Sequence, residues 1–214
     1  MATVLSLTAS PATQLIQDAE QCLQQGGVLA VPTDSFYALA VNPFHQAALE
    51  RLVAMKGERN HKPFPVLIGE VTQINQFVPE VPALAWNLIP QFWPGLLTLV
   101  FSARADLPEV LTGGSGTVGI REPGDPRLRQ LLSQIGPVTG TSANRAGTVP
   151  STTAVEVQQQ LGSEIDMILD GGPAPGGLPS TVLQLVGEIR LLREGAISLS
   201  TLQQALGPSV IITS

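Results

Sequence analysis

The sequence is poor in the residues that build the commonest reactive centres. Among 214 residues there is one cysteine, Cys22, and there are two histidines, His45 and His61. A disulfide framework, a cysteine-ligated zinc site and a multi-histidine metal centre are therefore excluded. Charged residues make up 13% of the chain, about half of the roughly 25% usual in soluble domains. Lysine occurs only at Lys56 and Lys62. The longest apolar runs fall short of a membrane span, which needs about 18 or more such residues. Met1-Ala2-Thr3-Val4 shows no basic leader ahead of an apolar core, so a cytoplasmic location with no membrane partner is expected. The net charge of −6 argues against general nucleic-acid binding, which depends on neutralising phosphates.

What the chain does have is 21 glycines, 18 prolines and 43% apolar residues. The glycines and prolines follow no collagen period and form no low-complexity block, so they mark tight turns between short elements. The apolar content excludes disorder, and the frequent helix breakers exclude a coiled coil or helical solenoid. Ser10-Pro11 reads as a helix start, followed by Leu15, Ile16, Ala19, Cys22 and Leu23 at helical spacing up to Gly26-Gly27. Residues 27–32 read as a buried strand entering Thr33-Asp34-Ser35. A helix over 44–56 follows, with Leu49, Leu52 and Val53 as its apolar stripe. Lys56 lies two turns after Leu49 and so continues the inward face. Further strands are expected at 64–68, 97–101, 117–121, 137–141, 165–169, 180–186 and 188–193, and helices at 70–77, 82–92, 125–135, 152–161 and 198–206. This order predicts a single α/β domain over 10–207, built on a twisted mixed sheet with helices packed on it, and a tail at 208–214.

Three polar clusters each follow a buried element. The first is Lys56-Gly57-Glu58-Arg59-Asn60-His61-Lys62-Pro63, part of a stretch that holds Arg51, Lys56, Arg59 and Lys62. Cations at a helix end suit the helix dipole, and they equally suit a phosphate-bearing ligand. The second cluster is Thr117 and Arg121 on one face of a strand. An inward arginine needs a carboxylate, supplied by the protein or by a ligand. The third is Thr139-Gly140-Thr141-Ser142-Ala143-Asn144, which can cradle a phosphate or serve as turn and cap residues. The glycine-rich loop 171–177 has no Walker lysine and no dinucleotide spacing. No nucleophile stands beside a base in a recognisable motif, and Cys22 lies on an apolar stripe. The clusters therefore point to a site that works by positioning and charge stabilisation.

Taken in order, Pro32-Thr33-Asp34-Ser35-Phe36-Tyr37, Lys56-Gly57 with Lys62-Pro63, Trp93-Pro94-Gly95 with Thr98, Val118-Gly119-Ile120-Arg121-Glu122-Pro123, Thr141-Ser142-Ala143-Asn144, Asp170-Gly171-Gly172, Ser180-Thr181-Val182 and Leu192-Arg193-Glu194-Gly195 resemble the YrdC-like family of threonylcarbamoyl-AMP synthases. The resemblance covers about residues 12–206 and is to the short form of the family. It implies a twisted α/β fold with an open central cleft, in which L-threonine, bicarbonate and ATP give threonylcarbamoyl-AMP and pyrophosphate for tRNA modification. It further implies that Ser35, Arg121, the Gly140 backbone and Ser180 hold threonine. Lys56, Arg59, Lys62, Thr117, Ser142, Asn144 and Arg193 would hold ATP, with Mg2+ carried on its phosphates and no protein metal site. Lys56, Arg59, Ser142 and Asn144 would be the catalytic set. A downstream tRNA-modifying complex is the implied partner. The alternative is a non-catalytic paralogue that binds a nucleotide, tRNA or double-stranded RNA. Glu58 stands where the family carries arginine, with Arg59 one position later. Ala38 and Ala40 replace glycines, and Leu67 stands where some members carry histidine.

Overall fold

Short apolar segments flanked by glycine and proline can form only short strands, and the chain builds its sheets from strands of two to six residues. In a computed structural model, the structure describes residues 1–7, 12–57 and 62–213. The strands are β1 (Thr3–Ser6), β2 (Leu29–Pro32), β3 (Tyr37–Ala40), β4 (Val66–Leu67), β5 (Leu97–Ser102), β6 (Thr117–Arg121), β7 (Val138–Thr139), β8 (Thr141–Ser142), β9 (Met167–Asp170), β10 (Thr181–Gln184) and β11 (Arg190–Arg193). The helices are α1 (Thr13–Gln24), α2 (Gln46–Lys56), α3 (Ala83–Phe92), α4 (Glu109–Thr112), α5 (Pro126–Ile135), α6 (Ala154–Leu161) and α7 (Leu199–Leu206), with a 3-10 turn at Val71–Gln76. The Ser10-Pro11 helix start lies outside the described residues.

The fold class is the expected mixed α/β type, but the strands divide between two sheets where the sequence suggested one. One sheet runs β1-β9-β2-β3-β8 and the other β11-β10-β5-β6-β4-β7, and each contains parallel and antiparallel neighbours. The division falls inside the segment 137–141, which read as a single strand. Val138–Thr139 pairs with β4 in the second sheet, whereas Thr141–Ser142 pairs with β3 in the first. Gly140 is the crossing point. Its N–H donates to the Pro65 carbonyl at 2.8 Å, and a Cβ there would lie 2.5 Å from Leu67 Cγ, so only glycine fits without displacing Leu67. Thr139 ties the sheets together from the same place: its N–H donates to Val41 O at 3.0 Å, and its Oγ1 accepts from the Val41 N–H at 3.1 Å.

Side-chain alternation along β2 and β3 gives the protein two cores. Ala30, Tyr37 and Leu39 join the larger one, with Leu49 and Leu52 of α2, Phe64, Leu99, Phe101 and Ile120. Leu29, Val31, Ala38 and Ala40 face the other way and pack with Leu15, Ala19 and Leu23 of α1 and Leu128, Leu131 and Leu132 of α5. The methyl groups of Ala38 and Ala40 are thus absorbed by the second core. Val53, assigned to the inward stripe of α2, is instead 36% exposed. The Asp125 side chain caps α5 by accepting from the N–H groups of Arg127 and Leu128, as the Asp-Pro start suggested, and Thr153 with Glu156 forms a capping box on α6. Two pairings lie outside the 10–207 boundary: β1 is parallel to β9, and Thr213 bridges to Arg190. No helix among the described residues is long and apolar enough to cross a membrane.

Candidate active site

The last turn of α2 aims Lys56 at the strand end beyond β8. Its Nζ donates to the carbonyls of Ser142 at 2.9 Å and Asn144 at 2.8 Å, and to Asn144 Oδ1 at 3.2 Å. Ser142 Oγ donates to the same Oδ1 at 2.6 Å, and Asn144 Nδ2 donates to the carbonyls of Arg145 and Thr148 at 2.9 and 2.7 Å. A helix-end ammonium, a hydroxyl and a buried amide thus form one rigid group. Arg59, expected beside them, lies outside the described residues, as do Glu58, Asn60 and His61. Lys62 is exposed.

The second sheet contributes a second group. Arg121, at the end of β6, is 6% exposed. Its Nε donates to the Gly95 carbonyl at 2.8 Å, and its Nη2 makes a short ion pair with Asp34 Oδ1. The choice left open by the sequence, between a protein and a ligand carboxylate, is resolved in favour of a protein partner for Nη2. Burial pushes the Arg121 guanidinium below its ordinary range; the Asp34 carboxylate opposes that shift, and the Arg193 charge adds to it. Arg193 donates from Nε and Nη2 to the Ser180 carbonyl at 3.0 and 2.7 Å, and from Nη2 to Ser180 Oγ at 3.0 Å. Ser180 Oγ in turn lies 2.9 Å from Thr98 Oγ1. Two guanidinium groups and two hydroxyls therefore converge on one region.

The turn between β2 and β3 supplies the partner of Arg121. Thr33 Oγ1 lies 3.1 Å from Ser35 Oγ and donates to the Phe36 carbonyl at 2.7 Å, which fixes the turn that presents Asp34 to Arg121. The loop after β9 is held over Ser35, since the Gly176 N–H donates to the Ser35 carbonyl at 2.7 Å. Tyr37 anchors the start of that loop, donating from its hydroxyl to the Gly172 carbonyl at 2.8 Å. Burial is the main cause that pushes the Tyr37 phenol up to about 12. Thr117 shares a strand with Arg121 but sits at its far end, 2.8 Å from Ser115 Oγ, with no hydrogen bond to either group among the described residues. Asp34 and Thr98 stand in the family-like motifs of the sequence, but the sequence assigns neither a role at the site. The one available signal was the unpaired charge of an inward arginine.

With this geometry in view, the family model described as "Telomere recombination", covering Sua5, YciO and YrdC, matches residues 21–195. The chain belongs to the Sua5/YciO/YrdC family. It is similar to the threonylcarbamoyl-AMP synthase of Coxiella burnetii (RSA 493), 34% identical over 180 residues, which cover 83% of this chain and 96% of that one. It is also 34% identical over 196 residues to the threonylcarbamoyl-AMP synthase of Bacillus subtilis, covering 90% of this chain but 57% of that protein's length. The crystal structure of Pyrococcus abyssi Sua5 complexed with L-threonine superposes with a TM-score of 0.89 at 29% identity, covering 99% of this chain and 62% of the Sua5 chain. The YrdC-like resemblance of the motifs is therefore upheld over nearly the whole sequence. Against the longer Sua5/YciO/YrdC relatives, this chain spans roughly three-fifths of their length.

Proposed function

We propose that this family member is an L-threonylcarbamoyladenylate synthase, a nucleotidyltransferase that joins L-threonine, bicarbonate and ATP and releases pyrophosphate. The observation that carries the reading is a pair of polar groups on the two sheets, Lys56-Ser142-Asn144 and Arg121-Ser180-Arg193, linked through Leu67, which pairs with Arg121 and lies against Gly140 two residues before Ser142. The charge of Lys56 draws phosphate oxygens, which would exchange for its present bonds to Ser142 and Asn144, while the second group suits a carboxylate at Arg121 and Ser180 and a phosphate at Arg193. Arg121 and Ser180 hold threonine, with Ser35 and the Gly140 backbone closing the subsite. Lys56, Ser142, Asn144 and Arg193, with Arg59, Lys62 and Thr117, hold ATP. The threonine amine and bicarbonate form N-carboxythreonine with loss of water; its carboxylate oxygen attacks the α-phosphorus, the bond to the bridging oxygen of pyrophosphate breaks, and pyrophosphate leaves with the electron pair. The cations offset charge gathering on that leaving group. In this reading Mg2+ arrives on the phosphates of ATP. The threonine subsite draws further support from the Sua5 relative solved with L-threonine.

The deciding experiment mixes the protein with labelled ATP, L-threonine and bicarbonate and follows pyrophosphate and the labelled adenylate. Threonine-dependent release of both is expected, and Arg121→Ala raises the KM for threonine far more than that for ATP. Absence of threonine-dependent turnover, or equal loss of both substrates in the variant, refutes the assignment.

A further inference from the structure

The Arg121–Asp34 pair leaves one group unused on each side. Nη1 of Arg121 donates to no described residue, and Oδ2 of Asp34 accepts from none. Oδ2 lies over the backbone of Gly124, where an added Cβ would come within 2.7 Å of it. Asp34 and Gly124 also help line a pocket of about 260 Å3 whose walls include Pro32, Arg127 and Pro175; Arg121 is not among its walls and is tied to it through Asp34. An open donor and an open acceptor of opposite charge thus stand at the two ends of one ion pair. The missing side chain at Gly124 keeps the acceptor end accessible.

From this juxtaposition we infer that Asp34 selects the zwitterionic form of the substrate, with the α-ammonium on Asp34 Oδ2 and the α-carboxylate on Arg121 Nη1. The inference rests on the threonine reading of Arg121 and adds to it a residue that determines specificity. An amino acid carries its two charges on adjacent groups, so it complements a neutral pair at both ends. A carboxylate without the ammonium meets an arginine already matched by Asp34 and places its own charge beside that of Asp34. The paired carboxylate therefore acts against the wrong ligand as well as for the right one.

Calorimetric titration with L-threonine and with 2,3-dihydroxybutyrate, in which a hydroxyl replaces the ammonium, tests the inference without requiring turnover. The wild type is expected to prefer threonine by about tenfold or more, the scale of a charge-assisted hydrogen bond. Asp34→Asn keeps an oxygen for Arg121 Nη2, and it should weaken threonine about tenfold while leaving the analogue unchanged or tighter. ATP affinity should hold, and Asp34→Glu should retain part of the preference. An unchanged preference in Asp34→Asn overturns the inference and leaves the threonine reading intact. A wild type that binds both ligands equally also overturns it, and this needs no folded variant. A wild type that binds neither overturns both readings together.

Discussion

Gly140→Ala tests the join between the two sheets. The added Cβ would fall 2.5, 2.8 and 2.9 Å from Cγ, Cδ2 and Cδ1 of Leu67, about 1 Å inside ordinary carbon contact. Leu67 cannot swing away into solvent, because it is 2% exposed and sits in β4 between Arg121 and Val138. Overpacking of this kind costs about 1–3 kcal/mol. For a chain of this size that lowers Tm by roughly 3–10 °C, measurable by calorimetry or circular dichroism. Leu67→Ala alone opens a cavity that costs about 2–5 kcal/mol. In the double variant the new methyl at 140 occupies part of that space, so the two losses should fall short of their sum by about 1 kcal/mol or more. A Gly140→Ala protein that melts within a degree of wild type would refute the steric argument. Additivity within about 0.5 kcal/mol would show that the two residues do not meet.

Two further outcomes follow from Tyr37, beside the site, and Lys56, within it. Tyr37 is the chain's single tyrosine, so ultraviolet titration of the folded protein reads it alone, and its phenolate should appear near pH 12 in place of 10. Because the folded-state value is raised, the associated stability is complete below pH 10 and is lost as pH rises toward 12; Tyr37→Phe should flatten that decline, leaving the part due to Cys22, raised to about 11. A phenolate that titrates near 10 would contradict the buried hydroxyl. Lys56→Met removes hydrogen bonds to Ser142 and Asn144 and should lower kcat/KM for ATP by about 100-fold or more, with threonine affinity little changed. An equal loss for both substrates would contradict the division of the site between the two donor groups.

Local features of the site could be read from the chain, while its long-range pairings could not. Lys56 was placed inward by its spacing from Leu49, and the structure bears this out through its bonds to the Ser142-Asn144 corner. The Asp125-Pro126 start of α5 is equally local, because a cap acts within one turn. The pairing of Asp34 with Arg121 is not legible because the two lie 87 residues apart, and nothing near either residue encodes it. Thr98 and Ser180 meet across 82 residues for the same reason. Residues 137–141 carry the apolar and β-branched character of one strand, and the steric contact between Gly140 and Leu67 that divides them arises only in three dimensions. β1 gave no periodic signal because it is a short edge strand with three of its four residues exposed.

The crossing at Gly140 also bears on how the reactants could move. Ser142 and Asn144 follow from the sheet that contains β8, whereas Arg121 and Ser180 belong to the sheet that contains β6 and β10. On the proposed reading, Ser142 and Asn144 grip ATP from one sheet and Arg121 and Ser180 grip threonine from the other, while Arg193 and Thr117 reach ATP, and Ser35 reaches threonine, across the division. Alignment is then sensitive to shear: a slide of one sheet past the other changes the reaction distance and strains these crossing contacts. Such a slide would lower kcat and raise both KM values. Thr139 and Gly140 resist it together with the Arg121–Asp34 ion pair and the core that β2 and β3 share with β5 and β6.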